Sequence, residues 1–161
     1  MKKVTLPMIA MLFLALSLGL QSCEKTVDVK EYIADDNTFV DFLDWTLKAT
    51  INGADPSLNG AHGGGSEHTV RTIYFKDNAS KVDGEFPIGT VINKLSHNDT
   101  TGLDMRTGMV KRGNDFDKDN GDWEYFIIAA DGSIASRGDS EYLSCFACHV
   151  GAKSKDYIFT E

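Results

Sequence analysis

Two thiols and an imidazole stand together near one end of the chain, in the order Cys145-Phe146-Ala147-Cys148-His149. On a helical turn, positions three and four apart share a face. That spacing suits an iron porphyrin: the thiols reach the two vinyl groups on one edge of the ring and form thioethers, and the adjacent histidine then lies beneath the iron as an axial ligand. One covalently attached haem c, held by Cys145 and Cys148 and ligated by His149, is the expected cofactor. A redox CxxC pair would need a thioredoxin-like βαβ setting, of which the sequence gives no sign. A zinc site would need further ligands at matching spacing, and the chain has no second CxxC.

The position of the motif narrows the chemistry. Twelve residues, 150–161, follow His149, and none of them is a methionine, so a sixth ligand from downstream is not expected. Any distal ligand comes from upstream, where the candidates are His62, His68, Lys94, His97, Met105 and Met109. Methionines are more often packing residues than ligands. His62 lies in a glycine-rich loop that reads as solvent-exposed, and His97, followed by Asn98-Asp99, reads as a surface turn. No candidate stands out, which points to an open or weakly filled distal position and to small-molecule chemistry more than simple electron shuttling.

The elements that must position this motif read as α+β: a small antiparallel sheet with a helix before it and a helix carrying the haem motif after it. Phe39, Phe42, Leu43, Thr46 and Leu47 recur at helical spacing, with Asp36 or Asn37 as cap and a stop near Asn52-Gly53. Residues 55–66, with Pro56, Asn59-Gly60 and Gly63-Gly64-Gly65, read as a loop. Strands are expected over 69–76, 88–95, more weakly over 105–111 where Gly108 intervenes, over 123–130, and briefly over 134–137. In the strongest of these, alternation places Trp123, Tyr125 and Ile127 on one side and Glu124, Phe126 and Ile128 on the other. Asp139 or Ser140 caps a helix running from Tyr142 to Val150.

The N-terminus reads differently. Lys2 and Lys3 precede a nearly continuous apolar run from Val4 to Leu20, and Leu20-Gln21-Ser22-Cys23 follows, a pattern that resembles a bacterial lipoprotein signal. The alternative is an uncleaved anchor, for which the run is marginally long. On the lipoprotein reading residues 1–22 are removed, Cys23 carries the lipid, 23–36 are a polar tether and 37–161 are the haem domain. The product is then an extracytoplasmic, membrane-anchored protein, since acyl chains contribute about 0.8 kcal/mol per buried methylene and several chains anchor stably. Haem attachment of this type is assembled outside the cytoplasm, in agreement with the leader. The formal charge of −8 becomes −10 without Lys2 and Lys3. Nucleic acid is thereby disfavoured, whereas a basic redox partner protein would be attracted. With Cys23 lipidated and the other two cysteines in one motif, no long-range disulfide remains, and stability must come from the core and the cofactor.

Four segments carry a resemblance to the cytochrome P-460 family, which also includes the cytochromes c′-beta. They are His68-Thr-Val-Arg-Thr-Ile-Tyr-Phe75, Phe86-Pro-Ile-Gly-Thr-Val-Ile-Asn-Lys94, Trp123-Glu-Tyr-Phe126, and Cys145-Phe-Ala-Cys-His149 with the ending Asp156-Tyr-Ile-Phe-Thr160. The resemblance implies an α+β fold of mostly antiparallel strands, His149 as proximal ligand, an open distal side and often a homodimer. In the P-460 enzymes a lysine is cross-linked to the porphyrin and the haem oxidises hydroxylamine. The c′-beta members lack the cross-link and bind nitric oxide or carbon monoxide in an apolar distal pocket. Lys94 falls at the matching lysine position, although a lysine near a strand end is ordinarily a solvated edge residue. Glu141 is the candidate for the acidic residue that takes up protons over the haem, set against a simple helix first-turn charge. Trp123 and Phe126 are candidate pocket walls. Three functions follow in order: a haem oxidoreductase acting on hydroxylamine or a related small nitrogen compound, a binder of diatomic gas without turnover, and a plain electron carrier.

Overall fold

The computed structural model describes residues 31–138 and 145–160. Six strands form one antiparallel sheet in chain order: β1 Thr46–Asn52, β2 Thr69–Phe75, β3 Val91–Asn98, β4 Asp104–Lys111, β5 Trp123–Ile128 and β6 Ile134–Arg137. The motif helix α1 spans Cys145–His149 and runs on as a 3-10 turn over Val150–Lys155.

Strand periodicity gives the sheet two faces, and both are covered. The register sets Ile73, Lys94, Thr107 and Ile127 in one row across β2 to β5, with Phe75, Ile92, Met109 and Tyr125 in the next row on the same face. That face carries a core of Ile73, Phe75, Phe86, Ile92, Trp123, Tyr125, Tyr157 and Ile158, so the C-terminal segment closes over it. The opposite face carries Val91, Val110, Phe126 and Ile128, covered by Ala34 and Phe39 from the segment before β1. An ion pair and a hydrogen bond clamp this covering segment: Arg112 Nε donates to Glu31 Oε1 at 2.8 Å, and Arg137 Nη2 donates to the Ala34 carbonyl. Both arginines also reach the buried Glu124 carboxylate.

The helix expected over Phe39–Leu47 is absent. Residues 42–44 form a single 3-10 turn, and β1 begins at Thr46. Asp41 is left-handed at φ 60°, and Trp45 is already extended, so the helical hydrogen-bond ladder has no room to propagate. Phe39 and Phe42 are still buried, while Leu43 and Leu47 are 62% and 52% exposed, so the apparent stripe divides between a covering segment and an edge strand. The tertiary surroundings outweigh a weak local periodicity here.

The later strands follow the sequence expectation with shifted ends. β3 starts at Val91 rather than Ile88 because Gly89, at φ 89°, turns the chain there, its N–H donating to the Lys111 carbonyl at 2.8 Å. His97 consequently lies within the strand, and the turn falls after it, where Asn98 Oδ1 accepts from the Thr100 and Thr101 amides. β4 runs unbroken through Gly108, which serves as a landing site: a Cβ there would stand 2.4 Å from Phe39 Cε1. Glycine within a strand often marks this kind of close approach. Gly108→Ala should therefore cost about 1–3 kcal/mol by overpacking, even though alanine loses less backbone entropy than glycine on folding. Urea unfolding would check it, and a neutral or stabilising result would mean that Phe39 does not pack there.

Candidate functional site

Cys145, Cys148 and His149 lie on one side of α1, as their spacing requires. Both cysteines are free thiols. Cys145 is half-buried against the core below the helix, and burial pushes its thiol pKa up; Cys148 is exposed.

A five-residue helix has little intrinsic stability. The C-terminal segment holds it instead. After the 3-10 turn, Asp156 and Tyr157 are both left-handed, at φ 53° and 63°, and this reverses the chain beneath the helix. The reversal presents the Tyr157 carbonyl to His149, whose Nδ1 lies 2.8 Å from it. Because a carbonyl only accepts, Nδ1 carries the proton and Nε2 is left with its lone pair free, the tautomer that metal-bound histidines adopt.

Asp156 anchors the reversal. Its Oδ1 accepts from Lys111 Nζ at 2.7 Å and Trp123 Nε1 at 3.2 Å, and its Oδ2 accepts from the Phe86 amide at 2.7 Å. The Tyr157 hydroxyl donates to the Asp119 carbonyl at 2.8 Å, and its ring lies against Gly121.

The His149 ring sits 5.0 Å from Tyr125, 5.4 Å from Phe159 and 6.4 Å from His62, between centroids. His62 is the main departure from the sequence expectation. Its glycine-rich loop folds onto the sheet, fastened by the Asp55 amide donating to the Gly64 carbonyl at 2.7 Å, and His62 Nδ1 lies 3.4 Å from Thr107 Oγ1 on β4. Burial first, then the positive charge of Lys94, pushes its pKa down to about 4. Residue 62 is left-handed at φ 51°, a conformation that turns its side chain inward in a way no periodicity announces.

Lys94 is also not an edge residue. β3 is an inner strand, and Lys94 stands between Ile73 and Thr107 on the face that α1 covers. Burial, and secondly Arg71, push its pKa down to about 8, with Asp55 opposing weakly. Arg71 is fully buried; its Nη2 donates to the Gly53 carbonyl at 2.8 Å, while Nε and Nη1 have no hydrogen-bond partner.

The other expected residues divide. Trp123 belongs to the core below the helix, but Phe126 lies on the opposite face of the sheet and walls no pocket here. Met109 packs against the core, Met105 and His68 are exposed, and His97 is bonded to Asp104 at 2.6 Å on the surface. Glu141 and Cys23, with the leader and most of the tether, lie outside the described residues. Tyr125, Arg71, Tyr157 and Asp156 stand in the segments that carry the family resemblance, but the sequence assigns none of them a role at the site. For Tyr125 a signal existed, since the alternation that pairs it with Trp123 excludes Phe126.

These residues fit a haem c. Two unpaired thiols stand three apart, followed by an imidazole with a free Nε2. On the same side of the sheet as Lys94, buried Arg71 keeps two nitrogens, Nε and Nη1, without a partner, and such donors suit the carboxylates that haem carries because they are costly to leave unmatched. Among the described residues no cluster of three or more His, Cys, Asp or Glu could hold a metal ion directly.

No curated protein and no solved structure matches the chain. The family model described as Cytochrome P460 matches residues 41–160, a span that takes in all six strands, Lys94, the motif helix and the Asp156–Tyr157 reversal. The chain therefore belongs to the cytochrome P460 family, and that membership makes it a haem protein.

Proposed function

We propose that this chain is a mono-haem c protein, attached through Cys145 and Cys148 with His149 as an axial ligand, that oxidises hydroxylamine or a related small nitrogen compound. When bound, the haem supplies an iron that exchanges electrons with a small ligand and passes them on to a redox partner protein. The chain's own residues prepare that site. The Tyr157 carbonyl fixes the His149 tautomer. Tyr125 and Phe159 flank the imidazole with aromatic surface, which lowers water access.

The observation that carries the oxidoreductase reading is the inward Lys94, a partly buried amine on the inner strand facing the motif helix. Burial increases its neutral, nucleophilic fraction at neutral pH, as a covalent link to the porphyrin requires. Glu141, four residues before Cys145, is assigned as proton acceptor. The second reading, in which the site binds nitric oxide or another diatomic gas without turnover, needs no Lys94 link and rests on the same covalent haem with His149 as its ligand. In either case we assign Cys23 as a lipid anchor and place the domain outside the cytoplasm.

The test is a spectrum and a peptide map of the matured soluble domain. On the oxidoreductase reading, the reduced protein shows a red-shifted Soret band and one haem peptide also carries the Lys94 segment. Lys94→Met restores an ordinary c-type spectrum and abolishes hydroxylamine oxidation. An ordinary spectrum and no Lys94 adduct in the wild type would leave the gas-binding reading, which added nitric oxide then probes.

A further inference from the structure

We infer that residues 31–45 form a latched strap that lifts from the sheet as one unit while the six strands stay folded. The inference does not depend on the haem reading.

The strap holds to the domain at few points. Its buried residues are Ala34, Thr38, Phe39 and Phe42, with exposed residues between them. Among the described residues, a single backbone-to-backbone hydrogen bond joins residues 32–45 to the rest of the domain, from the Tyr32 amide to the Arg112 carbonyl at 2.8 Å. The Thr38, Asp44 and Trp45 amides donate to carbonyls within the strap itself. A segment tied down so sparsely opens at a lower free energy than the fold as a whole.

One buried carboxylate organises the latch. Glu124 on β5 is 3% exposed and accepts from Arg137 Nη1 at 2.7 Å and from Arg112 Nη1 at 3.3 Å. Each arginine then reaches the strap, Arg112 through Glu31 and Arg137 through the Ala34 carbonyl. Both attachments lie at the strap's N-terminal end. Its other end runs directly into β1, with Asp41 left-handed at φ 60° on the way. The segment is thus fastened at one end and continuous with the sheet at the other, the arrangement of a hinged cover.

The floor beneath it favours lifting. Asn93 is fully buried on the inner strand β3, and neither its Nδ2 nor its Oδ1 has a hydrogen-bond partner. The register sets Asn93 opposite Gly108, the glycine that receives the Phe39 ring. Two residues earlier on β4, Arg106 Nε is likewise unpartnered, with the guanidinium carbon 5.6 Å from the centre of the Phe42 ring. Buried polar atoms without partners are costly, and lifting returns them to water. Docking therefore sets the apolar gain of Phe39 and Phe42 against a polar floor. The docked and lifted forms lie closer in free energy than they would over an apolar one. On the Cys23 assignment the lipid precedes the strap in the chain, so lifting lengthens the tether by up to roughly 50 Å.

The experiment is thiol labelling of the matured full-length chain, with the label placed by peptide mass. Ala34→Cys puts the probe under the strap, and Ile92→Cys puts a control in the core on the other face of the sheet. Residue 34 should label at least roughly tenfold faster than residue 92, which is reached only when the sheet unfolds. Glu31→Gln loosens the latch at its half-buried end and should speed labelling at 34 by about threefold, leaving 92 unchanged. Asn93→Leu should slow labelling at 34, because an apolar floor suits Phe39 better. Equal rates at 34 and 92 in the otherwise wild-type chain would overturn the inference. An unchanged rate at 34 in Glu31→Gln would remove the latch. Faster labelling at 34 alone in Asn93→Leu would show that the carboxamide holds the strap down, and would overturn the account of the floor.

Discussion

Asp156→Ala should lower the stability of this domain by about 3–5 kcal/mol, the range for removing one partner of a buried ion pair. The Lys111 and Asp156 side chains are 8% and 4% exposed, with Nζ and Oδ1 2.7 Å apart. Removing the carboxylate strands a buried ammonium and also unpairs the Trp123 indole N–H and the Phe86 amide. For a domain with a total stability of about 5–15 kcal/mol that is a large share, and a Tm decrease of roughly 10 °C or more should accompany it. The loss should not be confined to stability. Asp156 directs the reversal that brings the Tyr157 carbonyl to His149, so the variant should also show a disturbed axial-ligand signature at temperatures where it remains folded. Pairing Asp156→Leu with Lys111→Met should recover part of the stability, because a buried pair is often replaceable by apolar groups, but not the ligand geometry. An Asp156→Ala protein within about 1 kcal/mol of wild type would contradict the role given to this hub.

That hub also shows what the sequence could and could not disclose. The ending Asp156-Tyr-Ile-Phe-Thr160 was legible as a pattern, but its purpose appears only when two consecutive left-handed residues bend it under the helix. The spacing of Cys145, Cys148 and His149 is legible because it is local, and the structure sets those three residues on the short helix α1. Five of the six strands were legible in outline, since β-branched and aromatic alternation is local too. β1 was hidden: Phe39, Phe42, Leu43 and Leu47 imitate a helical stripe, and only the packing of Phe39 over Gly108 shows that the chain there is a covering strap. Lys94 looked like an edge residue because strand order is not written in any one strand; between β2 and β4 its amine is forced onto the covered face. His62 was misplaced for a related reason. Glycines signal a loop, but whether the loop leaves the sheet or folds back over it is decided by contacts with Thr107 and Thr69, residues far along the chain.

The strongest functional effect should come from the cysteines. Cys145→Ala/Cys148→Ala should abolish covalent haem completely, with no haem stain after denaturing electrophoresis, while either single variant retains one thioether and a shifted haemochrome band. The thiols themselves give an independent check. In protein produced without haem maturation, both should alkylate, and Cys148 should react first, because it is exposed whereas burial raises the Cys145 pKa and depletes its thiolate. In matured protein neither should react, even in denaturant, because each sulfur is already bonded to carbon. That permanence shapes the energetics. A group that stays attached in the unfolded chain adds nothing by mass action, so its stabilising effect must come from axial ligation and packing in the folded state alone. His149→Ala in matured protein should therefore destabilise while leaving the haem stain intact, a separation that a dissociable cofactor would not give. Matured protein with two alkylatable thiols at these positions would defeat the assignment at its root.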